Sequence, residues 1–142
     1  MSERSPQEPP PIEIEIVFDG GSLGNPGDGY GSYRLTVGDE PPRISRVAFG
    51  HATSNQAEYQ TLIAALEDAL ASLETTGRLS SQTHLTLRGD SRLVLEQVRG
   101  TWKVRAPHLH GLRDRAAELI SKFGSAQLLW QARANSVRIL GH

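Results

Sequence analysis

The chain has no cysteine among its 142 residues, which excludes disulfides, thiolate nucleophiles and cysteine metal ligands. Nothing in it therefore reports a redox compartment. Long apolar runs are missing as well. No window approaches the roughly 20 residues that cross a bilayer, and the start lacks the cationic-then-apolar pattern of a signal peptide. The expectation is a cytoplasmic protein, a monomer, without a membrane partner. Excess charge of either sign is also absent, because 15 Lys/Arg stand against 16 Asp/Glu, a formal net charge of −1. Bulk basicity cannot draw in a polyanion, so any such attraction must be local. What remains is an ordinary apolar fraction of 37%, in a length that one domain can fill with a proper core.

Residues 1–11 are rich in Pro, Glu and Ser without apolar periodicity, and read as a disordered leader; residues 12–142 read as a single domain. Ile12-Glu13-Ile14-Glu15-Ile16-Val17-Phe18 alternates and then turns wholly apolar, the pattern of a strand that becomes central as it proceeds and ends at Asp19. Gly20 to Gly29 reads as a turn-rich loop. Tyr30 to Val37 and Arg43 to Gly50 read as the next two strands of an antiparallel meander. Thr53, Ser54 or Asn55 can cap a helix whose stripe is Ala57, Leu62, Ala65, Leu66, Ala69, Leu70 and Leu73. A fourth strand, Thr83 to Arg88, gives way at Asp90 to a helix from Ser91 to Val98. A third helix follows Pro107, a fifth strand covers Ala126 to Trp130, and a short helical turn closes the chain from Asn135 to Leu140. Strand–helix–strand connections are right-handed crossovers that give parallel pairing. The expected fold is α/β: a five-stranded mixed sheet, three antiparallel strands then parallel ones, flanked by helices.

Three carboxylates stand out against this frame. Asp19 ends a buried strand, Glu58 lies in the first turns of the first helix, and Asp90 follows the fourth strand. Asp90 alone also fits a helix N-cap. If strands one and four are neighbours, both aspartates open onto one sheet edge, and the helix crossing it can deliver Glu58. Three converging carboxylates repel each other and call for a cation. Hard ions such as Mg²⁺ take oxygen ligands and retain waters, and two ions about 4 Å apart can assist phosphodiester cleavage.

Asp19-Gly20-Gly21-Ser22-x-Gly24-Asn25-Pro26-Gly27, then Thr53-Ser54-Asn55-Gln56-Ala57-Glu58-Tyr59, then Gly89-Asp90-Ser91-x-Leu93-Val94 resembles the type 1 ribonuclease H family. Gln97-Val98-x-Gly100-x-Trp102-Lys103-Val104 continues the match, which spans about Ile12 to Asn135. The resemblance implies a ribonuclease H-like fold and hydrolysis of the RNA strand of RNA/DNA hybrids, leaving 5′-phosphate and 3′-hydroxyl ends. It also implies Mg²⁺ or Mn²⁺ as cofactor, two ions with substrate bound, and Asp19, Glu58 and Asp90 as catalytic metal ligands.

The family pattern has a fourth acid near the C-terminus, and here no acid follows Glu118. In one register Asn135 replaces it; in another Asn135 matches an upstream asparagine and Ile139 takes the acid's slot. We take the first as the working register, since an amide oxygen can ligate a hard cation and an isoleucine cannot. Asn135 is then a weak fourth catalytic ligand. The loop before it is too short for the histidine many relatives carry there; His142 is a conceivable substitute, and reads rather as a frayed end.

Hybrids are recognised across the minor groove through 2′-hydroxyl and backbone contacts. By resemblance Gly21, Ser22, Asn25, Ser54, Asn55 and Gln56 contact substrate there; turn chemistry for Asn25 and a helix cap for Asn55 are the alternatives. From Leu85 to Arg115 there are seven Lys/Arg against three acids, a local excess suited to DNA phosphates. Within it Trp102 beside Lys103 offers a plate and a cation for the DNA strand. His108 and His110, two apart, share no helix face and are rejected as a metal pair. Two rivals remain. An actin-like or sugar-kinase ATPase fold needs a second domain, for which there is no room. A hybrid-binding protein without catalysis has little reason to keep like charges clustered.

Overall fold

The computed structural model describes residues 10–141. The expected leader falls almost wholly on residues 1–9, outside the described residues, as does His142; Pro10 and Pro11 have no regular structure. Five strands, β1 (Ile12–Leu23), β2 (Gly27–Val37), β3 (Arg43–Ala52), β4 (Thr83–Gly89) and β5 (Ser125–Trp130), form one sheet in the order β3-β2-β1-β4-β5. β1 to β3 pair antiparallel, and β4 and β5 add in parallel, giving the mixed sheet that the sequence pattern predicts. Four helices complete it: α1 (Ser54–Thr75), α2 (Arg92–Arg99), α3 (His110–Ile120) and α4 (Arg133–Leu140), with 3₁₀ turns at Ser80–Gln82 and Pro107–Leu109. Among the described residues no helix is long and apolar enough to cross a membrane.

Alternation sorts the faces of β1. Ile14, Ile16 and Phe18 turn to the buried face, where they join Leu35, Leu85 and Leu87. Glu15 turns to the other, where Arg34 (2.8 Å) and Arg88 (3.1 Å) pair with it. α1 covers the first face with Leu62, Ala65, Leu66, Ala69 and Leu73, all fully or almost fully buried; a leucine so placed contributes about 1.5–3 kcal/mol. α3 packs beside α1 through Ala116 and Leu119. α4 lies against β1 and β2, and Arg46 of β3 donates to the Leu140 carbonyl (3.1 Å).

Thr53 starts α1 with a reciprocal pair of bonds: its hydroxyl accepts from the Gln56 amide (3.1 Å), and the Gln56 side chain accepts from the Thr53 amide (2.8 Å). That pairing satisfies two of the helix's free donors. Gly77, at φ 70°, follows its end in the left-handed region.

The structure differs from the sequence pattern at one place that matters. β1 does not stop at Asp19; it runs to Leu23 against β2, and the expected loop shrinks to three residues, Gly24-Asn25-Pro26. The glycines before it are strand residues selected for close approach. A Cβ on Gly20 would stand 2.7 Å from the Ala57 carbonyl oxygen, and one on Gly31 would stand 1.8 Å from the Thr61 hydroxyl. Bare backbone on the α1 side of the sheet lets the first turns of α1 settle onto β1 and β2.

Candidate active site

β4 pairs with β1 from Ile12↔Thr83 to Phe18↔Gly89 and then ends. The next residue on each strand is an aspartate, Asp19 and Asp90. Gly20 brings α1 to within a bare backbone of the same point, so that Glu58 follows directly on the Ala57–Gly20 contact. Asp19, Glu58 and Asp90 each present a carboxylate oxygen, and these three oxygens lie within 4.8 Å of one another. Asp19 is 2% and Glu58 7% exposed.

Asp90 does not cap α2. Ser91 does, its hydroxyl accepting from the Val94 amide (3.3 Å). The Asp90 carboxylate is thereby left to the cluster, while its backbone carbonyl accepts from the Trp130 indole (3.2 Å). A second strap, from the Gln131 amide to the Gly89 carbonyl (2.9 Å), ties the end of β5 to the same turn.

The cluster is electrostatically costly. Burial above all, then the charges of Asp19 and Asp90, push the Glu58 carboxyl up to about 9, although the Gly20 amide opposes this. Burial and then Asp19 raise Asp90 as well, against the lowering effect of Arg133. Glu58 Oε2 and Asp90 Oδ2 are buried without a hydrogen-bond partner. Orphaned carboxyl oxygens converging on one point become, once deprotonated, the donor set that a hard divalent cation takes.

The profile of a family described as reverse transcriptase-like matches residues 43–138. The ribonuclease HI of Halobacterium salinarum is 37% identical over 126 residues, 88% of this chain and 59% of that protein. The crystal structure of RNase H1 from that archaeon superimposes with a TM-score of 0.75, covering 89% of this chain and 90% of the other. The chain belongs to the ribonuclease H family. It spans about a third of the length of a bifunctional Mycobacterium tuberculosis protein to which it is 39% identical over 127 residues. That protein's N-terminal RNase H domain has been solved and matches at 35% identity and a TM-score of 0.75 over 89% of this chain and 87% of that one. A third ribonuclease H structure, LC11-RNase H1 in complex with an RNA/DNA hybrid, is 29% identical with a TM-score of 0.76, over 88% of this chain and 89% of that one.

In this family member the remaining candidates fall into three places. Gly21, Ser22 and Asn25 border the N-terminus of α1, where Ser54, Asn55 and Gln56 stand. Tyr30 packs over Gly21, so a Cβ there would stand 2.7 Å from its hydroxyl. The Ser22 hydroxyl donates to the Ala52 carbonyl (2.9 Å), and Asn25 Oδ1 accepts from the Ser54 amide (3.0 Å). Asn25 thus ties the short loop to the start of α1, and Gln56 is partly engaged in the cap. Asn55 caps nothing and is exposed. Trp102 and Lys103, both exposed, share a groove of about 550 Å³ with Asn55, Gln97 and Arg105. Asn135 lies in the first turn of α4, its Oδ1 accepting from Arg138 (2.7 Å), with Ile139 one turn further along.

Sequence reasoning passed over Arg133, whose guanidinium stands 3.9 Å from Asp90 Oδ2. It also passed over Trp130, which holds the Asp90 carbonyl and carries Arg92 on its ring face at 5.2 Å. The available signal was their position at the end of a parallel strand beside β4 and just beyond it.

Proposed function

We propose that the chain is an endoribonuclease that hydrolyses the RNA strand of RNA/DNA hybrids, giving 5′-phosphate and 3′-hydroxyl ends. The observation that carries this reading is the convergence of buried Asp19 and Glu58 with half-buried Asp90 within 4.8 Å, in a chain of the ribonuclease H family. The hybrid bound by LC11-RNase H1 supports the choice of substrate.

Asp19, Glu58 and Asp90 would hold Mg²⁺ or Mn²⁺. Bound there, such ions supply a counter-charge for the phosphate and water of lowered pKa. The chain's own residues do the rest. Glu58, fixed by the Gly20–Ala57 approach, would orient the attacking water, and the Trp130 indole would steady the turn that carries Asp90. Asn135 is offered as a fourth, neutral ligand that must share its oxygen with Arg138, so its hold on a second ion is weak. Gly21, Ser22, Asn25, Ser54, Asn55 and Gln56 would meet the minor groove with short polar groups and backbone. Trp102 and Lys103 would meet the DNA strand.

The test is cleavage of an end-labelled RNA/DNA hybrid in Mg²⁺ and in Mn²⁺, beside an Asp90→Asn control. Cutting confined to the RNA strand and lost in the control is expected. A second reading, a hybrid-binding module with little catalysis, draws on the absent fourth carboxylate and on Arg133 beside Asp90. Hybrid binding without cutting in either metal would select it.

A further inference from the structure

The segment carrying Trp102 and Lys103 has no helix or strand of its own, yet it is tightly held. Gly100, in the left-handed region at φ 91°, turns the chain off α2. The Glu96 carbonyl then accepts from the amides of Gly100 (3.0 Å), Thr101 (3.0 Å) and Trp102 (3.2 Å). Val104 anchors the far side in the core at 8% exposure. Between these anchors lies a buried polar side chain, Gln97, only 4% exposed. Its Nε2 donates to the Lys103 carbonyl (3.2 Å), and its Oε1 accepts from the hydroxyl of the fully buried Tyr59 (2.8 Å).

Burying a primary amide costs free energy unless its hydrogen bonds are made. Here both ends of the amide are used, one on α1 and one on the connector. Tyr59 is the residue after Glu58, so the bridge runs from the helix of the acidic cluster to the backbone that presents the aromatic plate and the cation. Apolar packing alone could hold α2 against α1; it could not fix the Lys103 carbonyl.

We propose that Gln97 is a positioning residue for the nucleic-acid strand, setting the Trp102–Lys103 segment at a fixed offset from Glu58 through Tyr59. The inference rests on the reading of the protein as a hybrid-cleaving enzyme. Gln97 touches no reacting atom. Its loss loosens the connector and weakens hybrid capture while the acidic cluster keeps its chemistry.

The experiment compares wild type, Gln97→Met and Tyr59→Phe in two ways. Steady-state cleavage of a labelled hybrid should show KM raised about tenfold for Gln97→Met, the scale of one buried polar contact, with kcat within twofold of wild type. Tyr59→Phe, which spares the bond to Lys103, should raise KM less. Amide hydrogen exchange should quicken at residues 101–104 in Gln97→Met and stay slow along α1. Unchanged exchange at 101–104 would overturn the positioning role whatever the activity. An equal fall in kcat at unchanged KM would also overturn it, by assigning Gln97 to the fold of the cluster. If wild type cuts no hybrid but exchange quickens as stated, the proposed function fails and the Gln97 bridge stands.

Discussion

The Arg133 guanidinium stands 3.9 Å from Asp90 Oδ2, so the first residue of α4 brings a positive charge to the edge of the carboxylate cluster. It lowers the Asp90 pKa against burial and Asp19. In doing so it competes with any cation that the same oxygen would bind.

Arg133→Gln should therefore tighten divalent binding. The Arg133 side chain is 68% exposed, so solvent screens the pair and the gain is modest, about threefold in the Mn²⁺ dissociation constant. Isothermal titration calorimetry measures it directly. Equal or weaker binding in Arg133→Gln would mean that the guanidinium does not oppose the ion.

Glu58 predicts a pH dependence of stability. Its carboxyl is pushed up to about 9 in the folded protein, against about 4.3 in an unfolded chain. Between those values the folded state keeps a proton that the unfolded state has lost, so stability falls as pH rises. This contribution is complete below pH about 4.3 and is lost as pH passes about 9. Without metal, Tm should fall from pH 5 to pH 9, and more steeply in wild type than in Glu58→Gln, which has no proton to lose. Added Mg²⁺ should restore wild type at pH 8, releasing protons as it binds, and EDTA should reverse the rescue. Parallel Tm profiles for the two proteins would refute the assignment.

Gly20→Ala tests how the site is assembled. The new Cβ would stand 2.7 Å from the Ala57 carbonyl and 2.9 Å from the Glu58 amide, both backbone atoms that cannot swing aside. The strain should cost about 1–3 kcal/mol and shift Glu58 away from Asp19. Chemical denaturation should register the first effect and weakened Mn²⁺ binding the second. Full stability with wild-type metal affinity would show that α1 can retreat freely.

That same glycine marks where the sequence was readable and where it was not. Ile12 to Phe18 announces a central strand by period alone, and the α1 stripe from Leu62 to Leu73 announces a buried helix; both are found. The cluster was legible because Asp19, Glu58 and Asp90 each stand next to a change of pattern. Gly20 and Gly21 instead read as turn residues, because a glycine in a strand leaves the same local signal as one in a loop. Only the backbone of Ala57, far along the chain, distinguishes the two. Arg133 was hidden for a related reason: its partner Asp90 is 43 positions away, and no periodicity links them. The Gln97 bridge was half visible, as a polar residue inside an apolar helical pattern, but its partners on α1 and the connector were not.

Asp90 and Ser91, adjacent in sequence, divide two tasks that one aspartate could have combined. The Ser91 hydroxyl caps α2 through the Val94 amide, and the Asp90 carboxylate faces Asp19 and Glu58. Ser91→Ala should lose about 1 kcal/mol, the usual worth of an N-cap, seen as a Tm lowered by about 3–5 °C, with hybrid cleavage measured below the melting range little changed. Asp90→Asn should do the reverse. It relieves repulsion in the metal-free cluster, so Tm holds or rises, while Mn²⁺ binding and cleavage collapse. Were Asp90→Asn instead to lower Tm as Ser91→Ala does and still cleave hybrid, the carboxylate would be part of the helix start, and the site would lose its third ligand.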